Sequence, residues 1–225
     1  MAQQLRVRRR AALSRDRLLR AAVALADKEG IDSLSMRRLA EELGVVPMAL
    51  YKHVANKEEL LDGMVDIVVG EIDPPTSGER NWKRAIRQRI LSARRALLRH
   101  PWASAVLESR TNASPMVMAY LDSMIGMFLA AGFSLDLTHH VMHAMGSRLL
   151  GFTQELFNDS PTMDPQVLAA MQRELAGLYP NIVQLTRAVY HDEESVVGPG
   201  CDDQFEFEFA LDLLLDGLER LRAKE

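Results

Sequence analysis

The chain has 225 residues, 48% of them hydrophobic, and a formal net charge of -4. That is enough apolar material for a core in one or two domains, and the wrong charge for a protein that coats nucleic acid indiscriminately. A single cysteine, Cys201, excludes an intramolecular disulfide and a thiolate zinc site. No apolar run reaches the ~18 residues of a membrane span, so a cytoplasmic protein without a membrane partner is expected.

Charge is unevenly spread. Residues 1–57 hold 12 Lys/Arg and 6 Asp/Glu, a net of +6, while residues 58–225 hold 15 and 25, a net of -10. A basic head on an acidic body lets the head meet phosphates while the body is repelled from them. The arm 1–13 carries Arg6, Arg8, Arg9 and Arg10 with no apolar signal core behind them. It suits a minor groove or phosphates, and equally a solvated tail.

Strand signals are nearly absent, and helical periodicity recurs along the chain. Ser14 caps a first helix whose apolar face is Leu18, Ala21, Ala22, Leu25 and Ala26, with Gly30 ending it. Ser35 opens a short second helix with Met36, Leu39, Ala40 and Leu43 inward, stopped by Gly44. A third begins at Val46–Pro47, where proline is tolerated in the first turn, and carries Leu50, Tyr51 and Val54. Asn56 and Glu59 form a capping box for a fourth, with Leu60, Leu61, Met64, Ile67 and Val68 inward. Residues 73–78 (DPPTSG) read as a linker, which sets a head at 14–72 and a body at 79–225.

In the body, an Arg-rich helix is predicted from Trp82 to about His100, broken by Pro101, with a short segment through Leu107. Further helices run from Ser114-Pro115 to Ala131, from Asp136 or Thr138 to about Phe157, from Asp164-Pro165 to Tyr179, and from Asn181 to Tyr190. Residues 191–201 read as a mobile loop. The last helix starts at Asp203, with Glu206 in its capping box. It has two apolar stripes: Phe207, Leu211, Leu214, Leu218 and Leu221, and Phe205, Phe209 and Leu213. Two stripes need two partners, so a twin subunit or a central place in a monomer core is expected. The fold class is therefore all-α: an N-terminal three-helix head on a helical body.

Three short helices with Gly44-Val45 between the second and third suit a helix-turn-helix, whose last helix enters the major groove. Pro47, Met48, Ala49, Lys52 and His53 point outward on that helix, with Tyr51 at its flank. Tyr51, His53 and Lys57 can bind phosphates, and Arg37 a phosphate or guanine. Pro47, Met48 and Ala49 offer no polar hydrogen and suit thymine methyls instead.

Residues 14–71 resemble the tetracycline-repressor (TetR) family. The residues that carry the likeness are Ala21-Ala22, the run Gly30 to Ala40 (GIDSLSMRRLA), Leu43-Gly44-Val45, and above all Leu50 to Leu61 (LYKHVANKEELL). Arg95 to Arg99 (RALLR), Gly132-Phe133-Ser134-Leu135, Leu150-Gly151-Phe152 and Phe205 to Glu219 resemble the C-terminal domain of the same subclass. The resemblance implies a homodimer joined through the 138–157 helix and the last helix, and contacts to double-stranded operator DNA from Ser35, Met36, Arg37, Pro47, Met48, Ala49, Tyr51, His53 and Lys57. Met36 and Pro47 stand where the subclass prototype has polar residues, which implies a different operator.

On the ligand side the resemblance implies less. Ser147 and Val106 occupy positions where the prototype contacts a magnesium–tetracycline chelate, and only Glu155 remains as an acid. No metal and no cofactor is expected. A largely apolar small-molecule effector would be lined by Trp102, Met116, Met124, Met127, Phe128, Met142, Met145 and Phe152, although a Met stripe also suits a plain core. Arg110, Asn112, His139, His143 and Glu155 are polar candidates. Nothing proposes an enzyme: there is no P-loop, no His-Glu-x-x-His and no Glu-x-x-His pair. The expected function is a ligand-responsive transcription regulator, a repressor released from a palindromic operator. An activator of the same fold and an architectural DNA protein without effector remain alternatives.

Overall fold

A computed structural model describes residues 12–110, 112–151, 177–181, 184 and 203–225, and these contain helices and no strand. The chain forms two compact units that divide after Ala131.

The first unit begins with α1 (Arg15–Glu29), capped by Ser14, whose hydroxyl accepts the Arg17 N–H at 3.2 Å. Its face Leu18, Leu19, Ala22, Leu25 and Ala26 is buried. Gly30 leaves the helix at φ 81, and a 3-10 turn (Ile31–Ser33) leads to α2 (Met36–Leu43), capped by Ser35 on the Arg38 N–H. Gly44 is left-handed at φ 64, which a side chain would strain, and it aims the chain into α3 (Pro47–Leu50). Past Leu50 the chain goes on in turns to His53, held by bonds from His53 N and Val54 N to the Leu50 carbonyl. The predicted longer third helix is thus one turn, because Val54 swings inward to start the approach to α4.

α4 (Lys57–Gly70) has the predicted Asn56 cap on Glu59 N at 2.8 Å. The reciprocal arm reaches one residue further back than a standard box: Glu59 accepts from Ala55 N at 2.7 Å. α4 packs on α1, and a Cβ at Gly63 would lie 2.7 Å from a Leu19 methyl, so glycine permits the close approach.

α5 (Trp82–Arg99), α6 (Trp102–Ser109) and α7 (Pro115–Ala130) complete the unit, each of them packed against α4. The proline-rich break at 73–78 therefore separates helices without separating cores. Ala96, Trp102, Ala103 and Val106 share one apolar cluster with Leu18, Leu39, Leu50 and Leu60. Burying each large apolar side chain of that cluster contributes roughly 1.5–3 kcal/mol.

The second unit holds α8 (Leu135–Gly151) and α9 (Asp203–Arg222). α8 is capped by Ser134, whose hydroxyl accepts from Leu137 N at 3.1 Å, rather than by Asp136 or Thr138; Asp136 lies inside the first turn and Thr138 is buried. The Glu225 carboxylate accepts from Ser134 N, and Arg222 lies over the Phe133 ring at 5.6 Å. Along α9, Phe207, Leu211, Leu215 and Leu218 are buried, while Phe209, Leu213 and Leu221 are exposed. The buried stripe thus runs through Leu215, and Leu221 leaves it as the helix nears its end. The basic arm, the helices predicted between 158 and 190 beyond the few positions named above, and the 191–201 loop lie outside the described residues.

Candidate nucleic-acid interface and effector cavity

The head exposes a short tip. Pro47 starts α3 in its first turn, and Leu50 and Val54 anchor it in the core at 0% and 1% exposure. Val46, Met48 and Tyr51 are then forced outward, Met48 to 72%. Of the predicted contact residues, Arg37, Pro47, Met48, Tyr51 and Lys57 are exposed, and Ala49 and His53 are half-buried. Ser35 is exposed, with its hydroxyl already used as the α2 cap. Met36 is half-buried against the core, so only part of its side chain is presented. Arg37 is paired with Glu41 at 3.2 Å, an exposed i,i+4 contact of the weak kind that a phosphate can displace. Val46 was not singled out from sequence. The signal lay in its place just before a first-turn proline, where the extended backbone turns its side chain to solvent.

Beneath the tip the head is locked. Arg38 reaches Glu29 at 2.7 Å and Glu42 at 3.3 Å, joining α1 to α2. That pairing lowers the Glu29 carboxyl below its ordinary value. Where the head meets the body, Asp27 of α1 accepts from Trp102 Nε1 at 2.7 Å and faces His100 Nδ1 at 2.8 Å. The other ring nitrogen of His100 lies 3.3 Å from Glu71, which also pairs with Arg99 at 2.6 Å. Burial alone would raise the Glu71 carboxyl, but the bonds from Arg99 and His100 outweigh it and hold it below the ordinary value. One buried imidazole thus bridges the end of α1 and the end of α4.

Of the predicted pocket residues, Trp102, Arg110, Met116, Met124 and Phe128 lie in the first unit, and His139, Met142 and His143 in the second. Trp102 belongs to the core shared with the head. Arg110 ties α6 to α4: it donates to Asp62 at 2.7 Å and to the Glu58 carbonyl at 2.8 Å, and pairs with the Glu58 carboxylate. Its charge is already met by two acids, so the predicted anchoring role is replaced by a helix-to-helix tie. Asn112 and Met116 are exposed. Met124 and Phe128 are buried on α7, with Phe128 6.5 Å from the Trp82 ring. His139 and His143 are exposed on α8 with ring centroids 4.6 Å apart, Met142 is half-buried and Met145 buried. Among the described residues no three His, Cys, Asp or Glu side chains are grouped to hold a metal. Phe152 and Glu155 lie outside the described residues, and so does the side chain of Ser147.

A cavity of about 340 Å³ opens instead at the end of α4 and along α5, lined by Asp73, Pro74, Pro75, Thr76, Ala85, Gln88, Arg89, Leu91 and Arg95. Arg89 is only 8% exposed. Its Nη1 donates to the main-chain carbonyls of Ile72 and Asp73, and its guanidinium lies 4.8 Å from the centre of the Tyr120 ring. The Asp73 carboxylate is taken by Ser92 and Arg95, at 2.8 and 2.9 Å. Sequence reasoning missed Arg89 among the many arginines of α5. The clue was register: Arg89 shares the helix face of Ile86, Ile90 and Ala93, all buried.

Comparison with known proteins places these features in a family. Residues 18–64 match the domain model described as "Bacterial regulatory proteins, tetR family", and residues 74–222 match "Tetracyclin repressor-like, C-terminal domain". The HTH-type transcriptional repressor DrrR1 of Streptomyces coeruleorubidus is 32% identical over 226 residues, covering 94% of this chain and 79% of that protein. An HTH-type transcriptional regulator of Saccharopolyspora erythraea is 38% identical over 121 residues, 54% of this chain; the match spans about half, 51%, of that protein's length. The crystal structure of the Streptomyces coelicolor TetR family protein ActR in complex with actinorhodin superposes with a TM-score of 0.73 at 26% identity, covering 94% of this chain and 99% of that one.

Proposed function

The chain belongs to the tetracycline-repressor family of bacterial transcriptional regulators, and from that premise we propose that it is a dimeric repressor released from a palindromic operator by a small molecule. The observation that carries this is the tip of the head. Val46, Met48 and Tyr51 stand exposed on a packed core, with Arg37, Lys52 and Lys57 exposed around them. Cations hold phosphates and set register, while Met48 and Pro47 reach thymine methyls in the major groove.

A lone head would bind weakly. Two heads about one turn of DNA apart, roughly 34 Å, double the contacts and explain why the operator should be near-palindromic. The exposed stripe of α9 supports a twin subunit there, with α8 as the second partner. That DrrR1 is named a repressor and that ActR is solved with actinorhodin support repression and response to a small organic molecule. Regulation rather than catalysis fits relatives named as regulators. Among the described residues no helix is long and apolar enough to cross a membrane.

The test is fluorescence anisotropy with DNA from upstream of the gene. Salt-dependent binding, log K falling steeply with log salt, is expected, with a stoichiometry of two chains per palindrome. Binding indifferent to salt, or one chain per site, would reject the reading. A reporter that rises when the gene is removed separates repression from activation.

A further inference from the structure

We propose that the 340 Å³ cavity beside α5 is the effector site of this regulator, and that it selects a small organic anion: a carboxylate or phenolate on an apolar body. The inference rests on the regulator reading and names the ligand class for it.

Arg89 carries the argument. It lines the cavity, is more than nine-tenths buried, and its Nε has no hydrogen-bond partner. Among the described residues no carboxylate is within ion-pair distance of it. Its acceptors are two main-chain carbonyls, and its flat face lies on an aromatic ring. A buried guanidinium whose nearest acid, Asp73, pairs with Arg95 instead is an expensive arrangement, and an unmet buried donor adds to the cost. Burial pushes the Arg89 guanidinium down from its ordinary value, yet so strong a base stays charged at neutral pH. The neighbouring Tyr120 hydroxyl is also buried without a partner, and burial raises its pKa, so it remains a donor. Two unmet donors stand within one side-chain cluster. Arg95 adds a second cation to the lining, and the acid there, Asp73, is already engaged.

Of the remaining lining, Thr76 and Gln88 bond to each other at 3.0 Å, and Pro74, Pro75, Ala85 and Leu91 give flat or aliphatic surface suited to a ring system. A ligand carboxylate held by the cavity-lining guanidinium of Arg89 competes for it with the carbonyls of Ile72 and Asp73. Those carbonyls lie just beyond the end of α4, the helix whose first residue is Lys57 beside the DNA-facing tip. Occupancy is thereby coupled to the helix that supports the head, through differential affinity for its two positions.

The experiment uses the whole 225-residue chain and matched probes of equal shape: benzoate with benzamide, and 2-naphthoate with 2-naphthamide. Binding is read by isothermal titration and by release of labelled operator. At least one acid should bind about tenfold or more tighter than its amide, the size of one charge-assisted bond. Arg89→Met should erase that preference, with circular dichroism confirming that the variant is folded, and Arg89→Lys should restore part of it. Equal binding of acid and amide in both pairs, including no binding of either, overturns the proposal, as does an unchanged preference in Arg89→Met. If a neutral molecule releases the operator instead, the regulator reading survives and this one fails. Loss of operator binding in the wild-type chain would strike the regulator reading itself.

Discussion

The tip of the head and the last helix both expose apolar side chains, in opposite patterns. At the tip they are crowded into six residues, Val46, Met48 and Tyr51, on a helix of a single turn, with cations around them. On α9 they recur at Phe209 and Leu213, one turn apart, in line with a half-buried Phe205 whose ring stacks on Phe209 at 6.3 Å. Glu206, Asp212 and Asp216 stand exposed nearby. A compact apolar point among positive charges fits a groove edged by phosphates. A repeating stripe among acids repels DNA and fits another helix of the same kind. Exposure alone does not identify a partner; spacing and the sign of the surrounding charge do.

The strongest way to break this comparison is to charge the stripe. On the proposed twin-subunit reading, Leu213→Glu combined with Phe209→Glu should give a folded monomer where the unaltered chain is dimeric, read by light scattering with circular dichroism as the control. Each buried apolar side chain contributes roughly 1.5–3 kcal/mol, and symmetry counts it twice, so operator affinity should fall by at least about a hundredfold. A double variant that stays dimeric would show that the stripe faces something else. At the tip, Lys57→Ala should lower affinity uniformly across sequences and reduce the salt slope by about one for each phosphate no longer neutralised. Tyr51→Ala should cost about tenfold or more in specific binding. Met48→Ala is the finer probe: it should cost roughly 1–3 kcal/mol against a site with the matching thymine and little against uracil at that place. Equal losses on both would remove Met48 from base recognition.

Most of the head was legible because its signals are local. Ser14, Ser35 and Asn56 cap, Gly30 and Gly44 stop, and apolar residues repeat at helical spacing, all within a few residues of what they control. The boundary was less legible. The linker at 73–78 is real in the chain, yet Trp102 and Leu18 belong to one core, and nothing local reports that residues so far apart meet. The effector side was legible least. Composition drew attention to methionines and histidines, whereas the cavity proposed above is lined by a proline loop with Arg89 and Arg95, and the burial of Arg89 depends on α4, α5 and α7 packing together. Arg110 shows the converse: a lone arginine looked available, and two acids one helical turn apart on α4 had already claimed it.

Behind the tip stands the Asp27–His100–Glu71 bridge, which ties the end of α1 to the end of α4 and to Trp102 of α6. Asp27→Ala would leave Trp102 Nε1 and His100 Nδ1 without their acceptor, a loss of about 1–3 kcal/mol in stability by denaturant melts. If the bridge also positions the head, operator affinity should drop more than Lys57→Ala predicts from charge alone; an unchanged affinity would make it merely structural. The smallest effect is in acid. The Glu71 carboxyl sits below its ordinary value of 4.5, so its contribution is present above that pH and fades as pH falls through the lowered folded value. Solvent reaches about a third of the side chain, which keeps the effect modest. The melting-temperature gap between wild type and Glu71→Gln should therefore be flat from neutral pH to about 4.5 and close below it. A gap that instead closed well above pH 4.5 would show that the bridge does not act through the lowered Glu71 carboxylate.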